Sequence, residues 1–250
     1  MRIAKGVEAL EGLPVLYIEE LSAIVCSDLH LGYEGVMADR GTFLPKVNLR
    51  NIKKTIKKAI EMTNAERIII DGDIKNEFSN VHVEEFNEFY EFTKFLREEL
   101  KLKQIDLIKG NHDNFIDRYE KSSNIKLYRQ EASMNGFLFF HGEELPHDKE
   151  ARFLVMGHLH PAIGVYNKLG IKEKLKCFLY GKMEDGREIV ILPAMNYFAE
   201  GVDVAMRDLG ENSPIFAKML DVGGMEAICI GEDELLDFGK VSEIAAIGRR

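Results

Sequence analysis

Short apolar runs typical of buried β-strands recur along the chain, and the segments between them constrain the fold most strongly. In the first half these runs alternate with two amphipathic segments, residues 47–63 and 83–100, whose apolar side chains recur at helical spacing. From about Phe137 the chain is mostly strands, with a hairpin predicted at about residues 175–192 that turns at residues 184–186. The predicted strands are residues 15–18, 23–26, 68–70, 105–108, 137–140, 153–156, 177–180, 189–192 and 227–230.

Alternation followed by a run of strands is typical of two packed β-sheets with helices outside, which is an α/β architecture. The chain has 250 residues, enough for one large core or for two small domains. No segment has the composition of a linker. We therefore expect one domain over residues 1–250, with a C-terminal extension from about residue 200.

Composition argues against several classes of protein. No apolar segment approaches the roughly 20 residues that span a bilayer, and the N-terminal residues lack the apolar core of a signal peptide, so we expect a cytoplasmic protein. The net charge of −9 argues against a surface that coats nucleic acid broadly, but bound cations would still permit a local phosphate site. The scattered cysteines are expected to pack as small apolar residues: Cys26, Cys177 and Cys229.

Side chains that commonly bind metals follow five of the predicted strands, at the point where each strand ends. Because ligands gather beyond the carboxyl ends of strands in α/β folds, we expect these donors to converge on one site. Five of the seven histidines of the chain lie at these strand ends. The donors are Asp28 and His30, then Asp73, then Asn111, His112 and Asp113, then His141, and last His158 and His160.

The spacing and the chemistry of these donors favour two metal ions. Asp28 and His30 are two residues apart, as are His158 and His160, so in an extended chain the side chains of each pair would point the same way. Carboxylate, imidazole and amide donors without a thiolate suit divalent Mn, Fe or Zn. The donors are too many for one ion, and they fit two ions that share a bridging carboxylate.

Five short motifs stand in a fixed order: DLH at 28–30, GD at 72–73, GNHD at 110–113, His141, and GHLH at 157–160. This order resembles the calcineurin-like metallophosphoesterase superfamily, and five motifs in order are far more specific than one. The runs DLHLGYE, RGTFLP, GHLHP and LPAMN are similar to archaeal SbcD-related phosphoesterases, and also to bacterial phosphodiesterases associated with DNA ligases. The resemblance implies a four-layer α/β/β/α sandwich of two mixed β-sheets flanked by helices.

The resemblance also implies which residues hold two divalent metal ions, with Mn²⁺ expected first and Fe, Ni or Zn as alternatives. One ion would be held by Asp28, His30, Asp73 and His160. The other would be held by Asp73, Asn111, His141 and His158, so that Asp73 bridges the two.

The resemblance assigns the catalytic roles to His112 and Asp113. A hydroxide that bridges the two ions would attack phosphorus, and His112 would protonate the leaving oxygen. Asp113 would hold the ring of His112. Arg40, Asn111 and His112 are the expected substrate contacts, with a solvated surface position as the alternative for Arg40.

The expected activity is metal-dependent hydrolysis of phosphate esters. The favoured substrates are phosphodiesters, so the protein would be a nuclease or a cyclic or oligonucleotide phosphodiesterase. Its binding partner would be a nucleotide or nucleic acid. A small-molecule phosphomonoesterase is the first alternative. A non-catalytic binding scaffold of the same fold is the second, although the complete set of donors disfavours it. A homodimer is a further expectation, with residues 213–250 as a candidate contact.

Overall fold

Two β-sheets packed face to face form the centre of the molecule. The computed structural model describes residues 1–79, 82–117, 124–166, 170–206 and 220–247. Within these residues one sheet has seven strands and the other has nine. Both sheets contain parallel and antiparallel pairs, so the predicted architecture of two mixed sheets flanked by helices is confirmed.

The first sheet begins as an antiparallel meander and becomes parallel at its centre. Its strands lie in sequence order: β1 (Arg2–Ala4), β2 (Val7–Ala9), β3 (Leu16–Ile18), β4 (Ala23–Cys26), β5 (Arg67–Asp71), β6 (Gln104–Ile108) and β7 (Lys126–Tyr128). The strands from β4 to β7 are parallel neighbours, and such pairs need long crossover connections. Helices α1 (Tyr33–Asp39) and α2 (Asn48–Thr63) lie in one crossover. In the next, α3 (Val83–Lys94) continues as the π-helical segment Phe95–Glu99.

The second sheet carries the strands of the second half of the chain. They are β8 (Glu131–Met134), β9 (Phe137–Phe140), β10 (Phe153–Met156), β11 (Pro161–Tyr166), β12 (Lys172–Lys182), β13 (Glu188–Ile191), β14 (Val202–Asp203), β15 (Glu226–Ile230) and β16 (Leu235–Lys240). The strand order is β14-β11-β12-β13-β10-β9-β8, and β15 pairs with both β12 and β16. Strands β9, β10 and β13 run parallel, so their carboxyl ends meet at one edge. Helix α4 (Val241–Ile247) follows β16.

The central strands are buried on both faces, because side chains alternate along a strand. In β4, Ile24 and Cys26 pack in the core formed with α2 and α3, whereas Val25 packs between the sheets with Phe139 and Val155. A third core, which includes Val241 and Ile244 of α4, covers the outer face of the second sheet. Burial on both faces explains why these strands are continuous apolar runs in the sequence.

The differences from the sequence prediction fall at the short elements. The nine predicted strands coincide with β3, β4, β5, β6, β9, β10, β12, β13 and β15 to within a few residues at their ends. Of the remaining strands, all but β11 are short or partly polar and lack a run of apolar residues, and β11 contains a proline and a glycine, which weaken a strand pattern. The hairpin predicted at 175–192 is formed by β12 and β13, and Met183 N–H donates to Arg187 O at 2.8 Å in its turn. The three cysteines are buried free thiols, as expected.

None of the described helices combines the length and the apolar character needed to cross a membrane.

Candidate metal centre

The strand-end donors lie together at one edge of the packed sheets, beyond β4, β5, β6, β9 and β10. Backbone hydrogen bonds join the first two loops, since Asp28 N–H donates to Gly72 O at 3.1 Å and His30 N–H donates to Asp73 O at 3.0 Å. The loop after β10 joins them through His158 N–H, which donates to Asp28 Oδ2 at 3.2 Å. The fold therefore brings donors from both sheets into one cluster.

Three groups of side chains in this cluster are arranged so that each can hold a cation. In each group one ligand atom per residue lies within 4.8 Å of the others. The groups are Asp28, His30 and His160; His30, Asp73 and His112; and Asp73, His141 and His158. Every predicted carboxylate and imidazole ligand belongs to at least one group.

Two short contacts between ligand-type atoms mark the centre. His160 Nε2 lies 3.0 Å from Asp28 Oδ1, and His141 Nε2 lies 3.1 Å from Asp73 Oδ2. A cation about 2.1 Å from each of two ligand atoms, at a right angle, places those atoms about 3 Å apart. Each pair therefore has the spacing of ligands to a shared ion, and the pairs belong to different predicted ligand sets.

Buried ligand-type atoms at the centre show that its residues fit a metal ion. Asn111 Oδ1 is buried and makes no hydrogen bond within the described part of the chain. Asp28 Oδ1 and His141 Nε2 are buried too, and their short contacts are with other ligand-type atoms, His160 Nε2 and Asp73 Oδ2. His141 Nδ1 donates to Asp71 O at 2.8 Å, which leaves Nε2 as the nitrogen available to a metal. Unsatisfied buried polar atoms cost about 1–3 kcal/mol each. Divalent cations held by the two predicted ligand sets would satisfy all three.

The charges at the centre also favour a cation. Burial would raise the pKa of Asp73, but the ring of His141 lowers it to about 2. Burial lowers the pKa of both His30 and His158 to about 4, so both rings are neutral at pH 7, the form that binds metals. Burial would lower the pKa of His141 as well, but the carboxylates of Asp73 and Asp28 raise it well above its ordinary value. The buried carboxylates thus draw positive charge to the centre.

The backbone at the ligands differs from the extended chain that the spacing suggested. Positive φ angles occur at Asp28 (55°), His30 (46°), Asp73 (49°), His158 (66°) and His160 (50°). In this left-handed region successive side chains do not alternate as they do in a strand, so the prediction that each pair converges through an extended chain is wrong. Non-glycine residues adopt this conformation at a cost, which the surrounding structure must offset.

Two asparagines that the sequence analysis missed hold the loop after β4. Asn48 Nδ2 donates to Leu29 O at 3.1 Å and to His30 O at 3.3 Å, and Asn48 Oδ1 accepts from Tyr197 N–H at 2.9 Å. Asn196 Nδ2 also donates to Leu29 O, at 3.3 Å. Both asparagines are fully buried. The only signal in the sequence was an amide at the start of a helix and another within LPAMN.

His112 lies beside the centre with one ring nitrogen engaged. Its Nδ1 lies 2.6 Å from Asn76 O, and its backbone N–H donates to Asp73 Oδ1 at 2.8 Å. Its ring meets those of His30 and Phe78 edge-on, with centroid distances of 5.0 and 6.0 Å. Because a carbonyl oxygen only accepts, Nδ1 carries the proton, and Nε2 is the nitrogen left to exchange a proton with a substrate.

Asp113 does not hold the ring of His112, so that part of the prediction is wrong. Its buried carboxylate accepts from the backbone N–H groups of Gly110 at 2.9 Å and Lys75 at 3.2 Å. It therefore ties the turn that carries Asn111 and His112 to the segment after β5. Sequence adjacency suggested a contact, but the partner of the ring comes from 36 residues earlier in the chain.

Arg40, predicted to contact substrate, lies at the protein surface. Its side chain is 65% exposed, and Nη2 is 3.3 Å from Glu77 Oε2. The structure does not bring it into the cluster of donors. Substrate contacts by Arg40, Asn111 and His112 stay predictions.

Glycines at the centre permit close packing against the ligands, and Gly72 gives a direct test. A Cβ atom at Gly72 would lie 2.0 Å from His141 Nδ1. Gly72→Ala is therefore expected to displace the ring of His141 and to weaken metal binding by about 10–100-fold, measured by calorimetric titration with Mn²⁺.

Gly41→Ala is the matched control for that substitution. Gly41 has φ of +86° and Gly72 has φ of +87°, so the two variants carry the same backbone strain. Apart from Gly41 and its two neighbours in sequence, no heavy atom of the described residues lies within 4 Å of a Cβ at Gly41. Equal loss of metal affinity in both variants would show that strain alone is responsible.

Comparison with known proteins agrees with this site. The family model of calcineurin-like phosphoesterases matches residues 21–188, and the chain belongs to that family. It is accordingly a metal-dependent phosphoesterase, which is a hydrolase. A comparison with curated proteins gives no match.

Two solved structures are similar to this one. A nuclease, MPE, from Pseudomonas putida is 17% identical, with 92% of this chain and 94% of that chain covered and a TM-score of 0.63. At this identity the likeness supports the fold alone. The phosphoesterase Yfce from E. coli is 15% identical, with 87% of this chain and 98% of that chain covered and a TM-score of 0.42, which is too low to carry an argument.

Proposed function

We propose that the protein hydrolyses phosphodiesters, with nucleotides or nucleic acid as the substrate class, at a centre of two divalent cations. The observation that carries the dinuclear proposal is that donor atoms of Asp73 lie with those of His141 and His158 in one group and with that of His30, a member of the other ligand set, in a second group. One cation would be held by Asp28, His30, Asp73 and His160. The other would be held by Asp73, Asn111, His141 and His158.

The donor set fits Mn²⁺, with Fe, Ni or Zn as alternatives, because it mixes oxygen and nitrogen atoms and includes no thiolate. Bound cations supply a water of lowered pKa and positive charge against the phosphoryl oxygens. Asp28 and Asp73 are the only carboxylates in the proposed ligand sets, and the other ligands are neutral when they bind metal. Two divalent cations would therefore leave the centre with net positive charge, which suits an anionic ester.

His112 is proposed to protonate the leaving oxygen. Asn76 O holds the Nδ1 proton, so His112 acts as an acid in its doubly protonated form, in which Nε2 also carries a proton and gives it to the leaving oxygen. The ring lies beside that of His30 and the backbone N–H binds Asp73, so His112 lies next to the proposed metal ligands. A general acid so placed accelerates departure of a poor leaving group by about 10²–10⁴-fold.

Phe78 and His160 support an ester that carries two organic groups. Phe78 is 53% exposed although its ring contacts His112, so the planar base of a nucleoside on the leaving oxygen would have an apolar surface to stack on. The side chain of His160, a proposed ligand, is 23% exposed, so solvent reaches the centre at His160, where the second ester group would lie.

A paired assay tests this proposal. Protein stripped of metal by chelation and then reloaded with Mn²⁺ is given bis(p-nitrophenyl) phosphate and, separately, p-nitrophenyl phosphate. We expect the reloaded protein to hydrolyse the diester faster than the monoester, and the stripped protein to hydrolyse neither, because the side chains alone supply no activated water.

Two outcomes would contradict the proposal, each in a different way. Good turnover of the monoester with no cleavage of the diester under any metal would identify a phosphomonoesterase. A preparation that takes up no Mn, Fe, Ni or Zn and hydrolyses neither ester would identify a binding scaffold.

A further inference from the structure

Glu85, in the first turn of α3, makes more contacts than a helix cap requires. Its Oε2 accepts from the backbone N–H of His82 at 3.4 Å, which completes a capping box at the start of the helix. Its Oε1 accepts from Asn76 N–H at 2.7 Å and also from Glu77 N–H. These two bonds leave the helix and fix a separate segment, the one that follows β5.

A buried ion pair reinforces the same segment. Lys75 Nζ lies 3.6 Å from Glu85 Oε2, and the two side chains are 1% and 0% exposed. Lys75 Nζ also donates to Glu77 O, while Lys75 N–H donates to Asp113 Oδ1 at 3.2 Å. Buried charges are costly unless they are paired and hydrogen-bonded, so this pair holds residues 75–77 in one arrangement.

The start of α3 is also pressed against the loop that carries the first metal ligands. A Cβ atom at Gly32 would lie 2.3 Å from Glu85 Cγ and 2.8 Å from Glu85 Cα. Only a glycine allows this approach. Glu85 therefore packs closely against the loop after β4 and is hydrogen-bonded to the segment after β5.

The segment that Glu85 fixes ends at the ring of His112. Asn76 N–H binds Glu85, and Asn76 O lies 2.6 Å from His112 Nδ1. We infer that Glu85 is a positioning residue for His112 and acts through the peptide groups of Asn76. This inference rests on the proposed role of His112 as the acid that protonates the leaving oxygen.

A purely structural role for Glu85 predicts a different result. If Glu85 only stabilises the fold, its loss lowers turnover of all esters together and leaves the tautomer of His112 unchanged. If it positions His112, its loss affects only esters whose leaving group needs a proton. A p-nitrophenolate leaves without protonation, whereas the alkoxide of a nucleoside does not.

The test compares Glu85→Ala and Glu85→Gln on two diesters, bis(p-nitrophenyl) phosphate and a dinucleotide, with Mn²⁺ present. We expect Glu85→Ala to lower kcat on the dinucleotide by about 100-fold and on the aryl diester by less than about threefold. Glu85→Gln keeps an oxygen that accepts from Asn76 N–H, so it is expected to restore part of the loss. Glu91→Gln, an exposed carboxylate of the same helix, is the matched control and is expected to change neither rate.

A second readout does not depend on activity. In ¹⁵N-histidine spectra of the metal-free protein, with the His112 signal assigned by its loss in His112→Ala, we expect His112 to be protonated at Nδ1. The Glu85 variants are expected to shift that signal toward a mixture of tautomers. If Glu85→Ala does not fold, the Glu85→Gln variant carries both readouts.

Equal loss on the two diesters together with an unchanged His112 signal would overturn the inference. Absence of hydrolysis by the parental protein with every metal would instead refute the proposed function. In that case the His112 signal alone still decides whether Glu85 positions the ring.

Discussion

Replacement of His112 by alanine is expected to lower kcat on a dinucleotide by about 10²–10⁴-fold while metal content stays unchanged. The metal is expected to remain because the side chain of His112 donates to Asn76 O, and the backbone N–H that binds Asp73 Oδ1 is unaffected by the substitution. Turnover of an aryl diester is expected to fall far less, since its leaving group needs no proton. Steady-state kinetics on both substrates, with metal analysis by mass spectrometry, measures the effect.

The rival interpretation is that His112 is itself a metal ligand, because it forms a group of donor atoms with His30 and Asp73. If His112→Ala loses one equivalent of metal and the same fraction of its rate on both diesters, His112 is a metal ligand and not the acid that protonates the leaving oxygen. His147→Ala is the control. The side chain of His147 is 66% exposed and lies outside all three groups, so neither metal content nor kcat is expected to change.

Convergence of the donors was predictable from the sequence because it follows from strand direction. Asp73 and Asn111 follow β5 and β6, which are parallel neighbours, and His141 and His158 follow β9 and β10, which are also parallel neighbours. Parallel strands place their carboxyl ends at one edge of a sheet. Whether the edges of the two sheets meet depends on how the sheets pack, which the spacing of the donors does not reveal. The order of the five motifs, through the family that it resembles, predicted that they meet.

The conformation of the ligands was not predictable in the same way. A positive φ is uncommon outside glycine, and although Asp and His adopt it more often than most residues, residue type alone does not predict it at Asp28 or His30. It exists because Asn48 and Asn196 bind the peptide carbonyls of that loop, and both come from distant parts of the chain. The spacing of two residues predicted donors that do lie together, but the extended backbone from which it predicted this is absent.

The contacts of His112 were likewise not predictable from the sequence. The neighbour in sequence, Asp113, binds backbone N–H groups, and the ring is held by the carbonyl of Asn76. A backbone carbonyl has no signature in the sequence, because every residue carries one. Its position depends on Glu85 and Lys75, which pair only when the start of α3 packs against the segment after β5.

Replacement of Asp73 by alanine is expected to remove both metals and, with them, activity on every ester. Asp73 belongs to two groups of donor atoms, lies 3.1 Å from His141 Nε2, and accepts from His112 N–H at 2.8 Å. Loss of this carboxylate therefore affects both proposed ions and the turn that carries His112. We expect metal affinity to fall by more than about 100-fold, since even residues that only orient ligands contribute about 10–100-fold. Calorimetric titration with Mn²⁺ measures both affinity and stoichiometry.

A parallel variant separates a dinuclear centre from a mononuclear one. His158 belongs only to the group with Asp73 and His141, so His158→Ala is expected to lower the stoichiometry from about two ions to about one and to preserve the ion held near Asp28. Asp39→Ala removes a carboxylate that is 72% exposed and lies outside the three groups, and it is expected to keep both ions. A parental stoichiometry of one, lost entirely in both Asp73→Ala and His158→Ala, would mean that the donors serve a single ion. The bridging role of Asp73 would then be wrong.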